Sequence, residues 1–418
     1  MLDSATITLV RQSWRSIWRN WRRTLITVSA ITMGLTIAVF FVALGQGFYS
    51  HIVNTAVRSL GGHITVEHPD YREAPAVDLV LSDIEPLVKH VASIPEVTAY
   101  KTLVTGQGVI KSARGTTPGM LMGIDPERET KFSELSQKIV AGTYLEKSDK
   151  RKIVIGQKLA DQLKLKVGKK LVLASNNVEG ELSEQQFRVK GIFSTGSPEL
   201  DGYLVQIPLA QSQKLFGLKP NQVTQLGIMI DPLSARDRVL EGLEAYVAAS
   251  GAKETRVLPW EQVQPELASF IKIDRTSNWI MQSILIFLTL FTIWNTVLMS
   301  VMERKREFAM MLAIGTPLGR IRKQVMVEST FVAFLGSALG CGLGGGIALY
   351  LGNVGLDIFG AVEEGMNVAG FGLTGRVYPL LEPTMLGYFG GIIVISTVFM
   401  SVFASRGVKR IVVTDVLR

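Results

Sequence analysis

Cysteine is almost missing from this chain: the one example among 418 residues, Cys341, falls inside an apolar run. No disulfide framework can therefore staple the polar part, which must rely on its own hydrophobic core. Histidine is scarce too, at four residues. His63 and His68 lie on a predicted strand five positions apart, so they point to opposite faces, wrong for shared metal ligation. Both are expected at an exposed strand end. The phosphate-cradling pattern Gly-x4-Gly-Lys-Ser/Thr is lacking, because Leu163 stands where Gly168–Lys169 would need an upstream glycine. Ser194, Thr195 and Ser197 crowd a Gly-rich loop with no histidine nearby in sequence, which gives no support for a hydrolase. The chain thus reads as non-catalytic, with no catalytic residues, no metal site and no cofactor of its own.

What it has instead is long apolar runs. Thr24–Ser50, Thr276–Met302, Ser329–Leu356 and Pro383–Ser405 contain no charged residue. Each reaches the roughly 20 residues a helix needs to cross about 30 Å of hydrocarbon. In lipid a backbone must satisfy its own hydrogen bonds, which leaves helix as the option for such runs. A cleaved signal peptide fits the first run poorly, since signal h-regions span only about 7–15 residues. Basic residues orient the spans. Arg11, Arg15, Arg19, Arg22 and Arg23 precede the first; Arg304, Lys305, Arg306, Arg320, Arg322 and Lys323 separate the second from the third; Arg406, Lys409, Arg410 and Arg418 follow the fourth. The loop between the third and fourth reverses the bias, with Asp357, Glu363, Glu364 and Glu382 against Arg376. The positive-inside rule then places both termini in the cytoplasm and residues 51–275 and 357–382 outside. The net charge of +8 is a topology signal, and no nucleic-acid module pattern accompanies it.

The expected organisation is a cytoplasmic amphipathic helix (1–23), a first span (24–50), a large outer segment (51–275) and a second span (276–302). A cytoplasmic coupling segment (303–328), a third span (329–356), a short outer loop (357–382), a fourth span (383–405) and a cytoplasmic tail (406–418) follow. The fold class is an α-helical membrane protein with four transmembrane helices, one plus three, and a large α+β extracytoplasmic domain. Within that domain two distant stretches read alike. One is strand Gly62–Glu67, helix Ser82–Ala92 and strand Val97–Val109; the other is strand Gln225–Ile230, helix Ser234–Ala249 and strand Glu254–Trp260. They are expected to pair as a split βαβ, ferredoxin-like layer over 61–117 and 221–262, with ordinary α+β packing unrelated to any repeat as the competing reading. Residues 118–220 form an inserted β-rich subdomain, with strands near Lys152–Ile155, Lys170–Ala174, Gln186–Ile192 and Gly202–Ile207 and a helix near Gln157–Leu163.

The coupling segment begins with Glu303, Arg304, Lys305, Arg306 and Glu307. An amphipathic turn with Phe308, Met311, Leu312 and Ile314 follows, and Gly315–Thr316–Pro317 breaks the helix. A short helix with apolar knobs and a charged rim suits docking into a groove; a helix lying on anionic headgroups is the competing reading. In the third span Gly336, Gly340 and Gly344, with Gly342, Gly345 and Gly346, form small-xxx-small faces for close helix contact, within one subunit or between two. Glu328 is expected to pair with Arg322 or Lys323. Trp14, Trp18 and Trp21 suit headgroup anchoring. Asn295 and Gln282 are expected to bond a neighbouring helix.

The block N-T-V-L-M-S-V-M-E-R-K-R-E-F-A-M-M-L-A-I-G (Asn295–Gly315) resembles the permease motif of the MacB/LolC/FtsX family, the mechanotransmission ABC transporters. The stretches Ile153–Leu163, Lys166–Leu171 and Phe187–Phe193 are similar to the family's extracytoplasmic core. The closing V-T-D-V-L-R (Val413–Arg418) is similar to its terminal motif without the proline, and Phe193–Leu218 looks closest to the lipoprotein-releasing branch. The resemblance implies that Glu303–Gly315 includes a coupling helix seated on an ABC ATPase subunit, two copies per transporter, with ATP and magnesium bound there. It also implies a second permease in a homo- or heterodimer, contact with membrane lipid, a periplasmic carrier or adaptor, and a bacterial inner (cytoplasmic) membrane location. The implied function is extraction or export of a lipidated or hydrophobic substrate such as lipoprotein. Tripartite efflux, and regulation of a periplasmic hydrolase or kinase without transport, are the alternatives.

Overall fold

The structure, a computed structural model, describes residues 4–19, 21–59, 61–252, 254–358, 366–368, 371–373 and 375–405. Glu363, Glu364 and the 406–418 tail with its V-T-D-V-L-R motif lie outside the described residues. The chain divides into two compact units: residues 1–49, 273–356 and 376–418, and residues 50–272 and 357–375.

The first unit is helical. An N-terminal helix (Ser4–Arg19) precedes the first long helix (Trp21–Ser59); the second is Pro265–Glu303, the third Leu318–Val354 and the fourth Pro383–Ser405. Over Thr24–Ser59, Pro265–Glu303, Leu318–Val354 and Pro383–Phe403 these helices are long and apolar enough to cross a membrane. Three overrun the charge-free runs that announced them. The second starts at Pro265 rather than Thr276, and the third at Leu318 rather than Ser329. Helical hydrogen bonding does not stop where charge begins: Pro265 is suited to a first turn, and the Glu, Lys, Arg and Gln residues beyond the apolar runs are good helix formers.

Ile31, Leu35 and Val39 of the first long helix, Ile293 and Val297 of the second, and Phe389 and Ile393 of the fourth are buried together. The third helix approaches the first through its glycines. A Cβ on Gly340 would lie 2.7 Å from Leu35 Cβ, one on Gly336 2.7 Å from Ile31 Cβ, and one on Gly344 2.9 Å from the Thr36 carbonyl oxygen. That proximity lets the Thr32 and Thr36 hydroxyls donate to the Gly336 and Gly340 carbonyls, each at 3.3 Å. The contact joins two helices of one chain. The N-terminal helix buries Ser13 and Ile17, and Trp14 sets its ring edge-on against Phe331 of the third helix at 5.6 Å. Trp18 and Trp21 are exposed.

The second unit is built on a ten-stranded sheet. Its strands are β1 (Ile64–Glu67), β2 (Val97–Ser112), β3 (Gly115–Ile124), β4 (Ile139–Gly142), β5 (Lys152–Gly156), β6 (Lys170–Asn176), β7 (Leu182–Phe193), β8 (Leu204–Pro208), β9 (Gln225–Ile230) and β10 (Arg256–Pro259). The order is β10-β1-β9-β2-β3-β8-β5-β7-β4, with β6 pairing β2 and β7. The two look-alike stretches supply β10-β1-β9-β2, all antiparallel. Their helices run Glu85–Ser93 and Arg236–Ala249, a few residues inside the predicted bounds at their starts, and His90 stacks on Tyr246 between them at 3.9 Å. The expected boundary at residue 118 falls inside β3: the long strand β2 pairs with β9 at one end and with β3 and β6 beyond, so the insertion shares the sheet. Leu87, Val91, Leu226, Ile228, Val239 and Leu243 join Ile153, Phe187 and Val205 in one core. A second cluster holds Leu103, Met122, Val154, Phe193 and Leu204.

His63 is not at an exposed strand end; it is 3% exposed. Its Nδ1 accepts from the Ile230 N–H at 3.1 Å, while Nε2 is buried without a partner. Burial, reinforced by Arg58, pulls its pKa from 6.5 down to about 4. The imidazole is therefore neutral in the folded unit, and its protonation opposes folding. Stability is complete above about pH 6.5 and erodes as pH falls toward 4, by roughly 2 kcal/mol at pH 5 from this group.

Gly340→Val should destabilise the helical unit by about 1–3 kcal/mol through overpacking, whereas Gly342→Val, with open space around it, should leave the detergent melting temperature unchanged. Near-UV circular dichroism melts should show the second unit losing stability between pH 7 and 5, and His63→Asn should flatten that dependence.

Candidate functional site

The site forms where the second long helix ends. Glu303 closes that helix, Arg304 leaves helical geometry at φ −94°, ψ 14°, and a short helix restarts over Lys305–Ala313. Its stop is built from Gly315, whose φ of +92° lies in the left-handed region. The Thr316 N–H donates to the Met311 carbonyl at 2.9 Å and the Gly315 N–H to Leu312 at 3.0 Å, a Schellman closure. Pro317 then caps the third long helix. Ile314, Gly315, Thr316 and Pro317 thus turn the chain between two helices within four residues.

Arg304 is 7% exposed. Its Nη1 donates to Glu328 Oε2 at 2.8 Å and its Nε to Glu307 Oε2 at 2.9 Å, with the guanidinium 5.1 Å over the Phe308 ring. Glu307 in turn accepts from Arg19 Nη2 at 2.6 Å. Burial alone would depress the Arg304 guanidinium, but Glu328 and Glu307 hold it above its ordinary value. Burial likewise opposes ionisation of Glu307, and hydrogen bonds from Arg304 and then Arg19 outweigh it, keeping the carboxyl below its usual range. The expected partners of Glu328, Arg322 or Lys323, give way to Arg304 from the preceding turn. Arg322 keeps Nε and one terminal nitrogen buried without a hydrogen-bond partner among the described residues. The outer Arg19–Glu307 pair is exposed and contributes at most about 1 kcal/mol. The Arg304–Glu328 pair is buried, so removing one partner would strand a charge at a cost of about 3–5 kcal/mol.

The predicted knobs separate into two sets. Phe308 is fully buried, and Met311 and Leu312 pack against the same helical core. Glu303, Lys305, Arg306 and Gly315 are exposed, and the outward apolar residues are Met310, 52% exposed, and Ile314, 82% exposed. Met310 is not among the predicted knobs, although it lies four residues from both Arg306 and Ile314, a spacing that places all three on one helical face. Asn295 is exposed on the second helix and Gln282 borders a cavity.

The remaining polar residues singled out by the sequence have structural roles. His68 caps a turn, with Nδ1 accepting from the Asp70 N–H. Ser194 and Thr195 hydroxyls donate to buried Asp201, and Ser197 caps the helix Pro198–Tyr203. Among the described residues no group of three or more His, Cys, Asp and Glu could hold a metal ion.

Residues 24–246 match the MacB-like periplasmic core domain, and residues 279–413 match the FtsX-like permease C-terminal domain. The chain is 23% identical over 332 residues to the lipoprotein-releasing system transmembrane protein LolC of Xylella fastidiosa, covering 77% of this chain and 75% of that one. It is 24% identical over 331 residues to the lipoprotein-releasing system transmembrane protein LolE of Haemophilus influenzae, covering 77% of each. It is also 24% identical over 374 residues to the macrolide export ATP-binding/permease protein MacB of Hyphomonas neptunium, 84% of this chain but 54% of that protein.

Arg304→Leu should lower stability of the helical unit by about 3–5 kcal/mol by removing the buried guanidinium that donates to Glu328 and Glu307. Adding Glu328→Leu should restore part of the loss, and a double-mutant cycle on thermal unfolding in detergent measures the difference.

Proposed function

Because the chain belongs to the family of ABC transporter permeases with a MacB-like periplasmic core domain and an FtsX-like C-terminal region, we propose that it is the permease subunit of an ATP-driven transporter whose ATPase is a separate chain. The observation that carries this reading is the outward face of the short helix Lys305–Ala313: Met310 and, just past the helix end, Ile314 are exposed, as are the basic residues Lys305, Arg306 and Arg320 of the same turn, and Arg304 anchors the turn by its buried ion pair. A few exposed apolar anchors inside a charged rim are what a helix needs to seat in a partner's groove.

In this reading the short helix faces the cytoplasm of a bacterial inner-membrane protein, with both termini on that side, and meets one of two ATPase subunits that bind ATP and magnesium. Their nucleotide-driven closure pushes on Met310 and Ile314, and two permeases related by dimerisation shift their long helices together. The one-plus-three layout of spans and a ferredoxin-like reading of the β10-β1-β9-β2 layer belong to the same proposal. The names of the LolC and LolE relatives favour lipidated cargo, handed to a periplasmic carrier. The similarity to MacB supports a second reading, efflux through an adaptor; a purely regulatory permease would move nothing.

With the cognate ATPase, the double variant Met310→Asp/Ile314→Asp should lose co-purification and stimulated ATP hydrolysis by about tenfold or more, given that each replacement removes an interfacial anchor, while the melting temperature of the permease stays unchanged. Retained complex formation would sink the docking face. In proteoliposomes containing permease and ATPase, ATP should release a triacylated lipoprotein but not its unacylated form. Export of a soluble macrolide instead would favour the efflux reading.

A further inference from the structure

The helical unit contains a cavity of about 400 Å³ at the end of the second long helix remote from Arg304. One stripe from each of three helices lines it: Phe41, Val42, Gly45, Gln46 and Tyr49 of the first, Arg275, Asn278, Trp279 and Gln282 of the second, and Thr384, Met385, Tyr388 and Phe389 of the fourth. The volume is that of a small-molecule site. The lining is divided along the helices. Phe41, Val42, Met385 and Phe389 give an apolar portion, whereas Gln46, Asn278 and Arg275 give a polar one.

The polar portion carries an unmatched positive charge. Asp274, the carboxylate next in sequence, is engaged in the wall: the Tyr49 hydroxyl donates to it, and Asn278 Nδ2 donates to Asp274 at 3.2 Å and to the Tyr49 oxygen at 2.6 Å. Arg275 stands exposed over the Tyr49 ring at 5.2 Å and forms no ion pair among the described residues. It is also the last charged residue before the charge-free run Thr276–Met302, so its guanidinium marks headgroup depth. Trp279 and Tyr388, edge to face at 6.1 Å and both exposed, suit that same depth.

A wholly apolar occupant would leave Arg275 and Gln46 unmatched, and a water-soluble anion would leave Phe41, Met385 and Phe389 facing nothing. We propose that this cavity is a resident-lipid site of the single chain, taking one phospholipid whose anionic headgroup meets Arg275 and whose acyl chain fills the space between the first, second and fourth long helices. The lipid holds those helices apart at their Tyr49 end. The site needs neither ATPase nor cargo, and it stands independently of the docking role of the short helix.

Native mass spectrometry of the purified full chain tests it, with palmitoyl-oleoyl phosphatidylglycerol and phosphatidylcholine as probes. The wild-type chain should retain one phosphatidylglycerol, favoured over phosphatidylcholine about fivefold, the effect of one interfacial arginine. Arg275→Gln should abolish that preference while leaving chain retention intact. Gly45→Leu, at a position where a Cβ meets nothing closer than 3.8 Å, should fill the cavity and remove retention of both lipids without changing the lipid-free melting temperature. Equal retention by wild type and Gly45→Leu, or no headgroup preference in the wild type, would overturn the site. If Gly45→Leu does not fold, the Arg275→Gln headgroup ratio decides alone: an unchanged preference refutes the proposal.

Discussion

A guanidinium taken out of water must be surrounded by acceptors, and Arg304 finds them on separate elements. Glu328 belongs to the third long helix and Glu307 to the short helix, and Glu307 is itself held by Arg19 of the N-terminal helix. Stranding a buried member is expensive, so the short helix and the third long helix are held in one mutual register, with the exposed Arg19 pair adding little. That register decides which residues of the short helix face inward. With Arg304 stacked on Phe308, the phenyl ring goes into the core and Met310 and Ile314 are left outside. The left-handed Gly315 then ends the helix before it can bury Ile314. The outward face of this turn is therefore a consequence of one buried ion pair and one backbone conformation.

The two units solve the problem of cohesion differently. Between lipid-facing helices there is little hydrophobic drive, and close approach has to supply dispersion and short polar contacts. Gly336, Gly340 and Gly344 provide that approach, and the Thr32 and Thr36 hydroxyls use it. The sheet unit can draw on the hydrophobic effect and buries a continuous core without a disulfide. Its buried charges are paired: Glu67 accepts two hydrogen bonds from Arg72 at 2.6 and 2.7 Å and a third from Gln225 at 2.7 Å, and Lys101 lies 3.1 Å from Glu129. Burial pushes the Lys101 ammonium down and Glu129 opposes that shift. The Gln225 amide of β9 donating to Glu67 of β1 ties these neighbouring strands through a buried charged hydrogen bond.

Much of the architecture is legible in the sequence because strong constraints act over short distances. The apolar runs stand out since lipid imposes length and excludes charge. The Gly315–Thr316–Pro317 stop is readable since the left-handed residue and the proline act on their own backbone. The strands of both look-alike stretches show in their alternation. Long-range partners are less visible. Glu328 has basic residues five and six positions away, yet its buried partner is 24 positions back, across a turn whose geometry no local spacing reveals. His63 looks like an exposed strand end until β9 supplies the Ile230 N–H that its ring accepts. The spacing of Phe308, Met311 and Leu312 correctly puts them on one helical face, but a local pattern does not tell whether that face packs inward on the long helices, as it does, or outward, where Met310 stands. The insertion's strands are visible, but β2 bridging into both halves of the sheet depends on pairings far apart in sequence.

The same connections say where a force applied to the turn would go. Met310 sits on a nine-residue helix and Ile314 directly at its end, so a push there would move Lys305–Ala313 as a body. Its movement meets Arg304 first, and Arg304 is bound on two sides with unequal strength. The link through Glu307 to Arg19 is solvated and screened and can break at little cost, while the link to Glu328 is buried and cannot. Displacement would therefore pass to the third long helix, and the N-terminal helix, packed on it through Trp14 and Phe331, would follow. The third helix meets the first at glycines where an added methyl group would not fit, with the Thr32 and Thr36 hydroxyls bonded across, so first and third would move as one piece. The compliant part of the helical unit is then the other end of the second helix, where the space between Phe41, Trp279 and Phe389 is not filled by side chains.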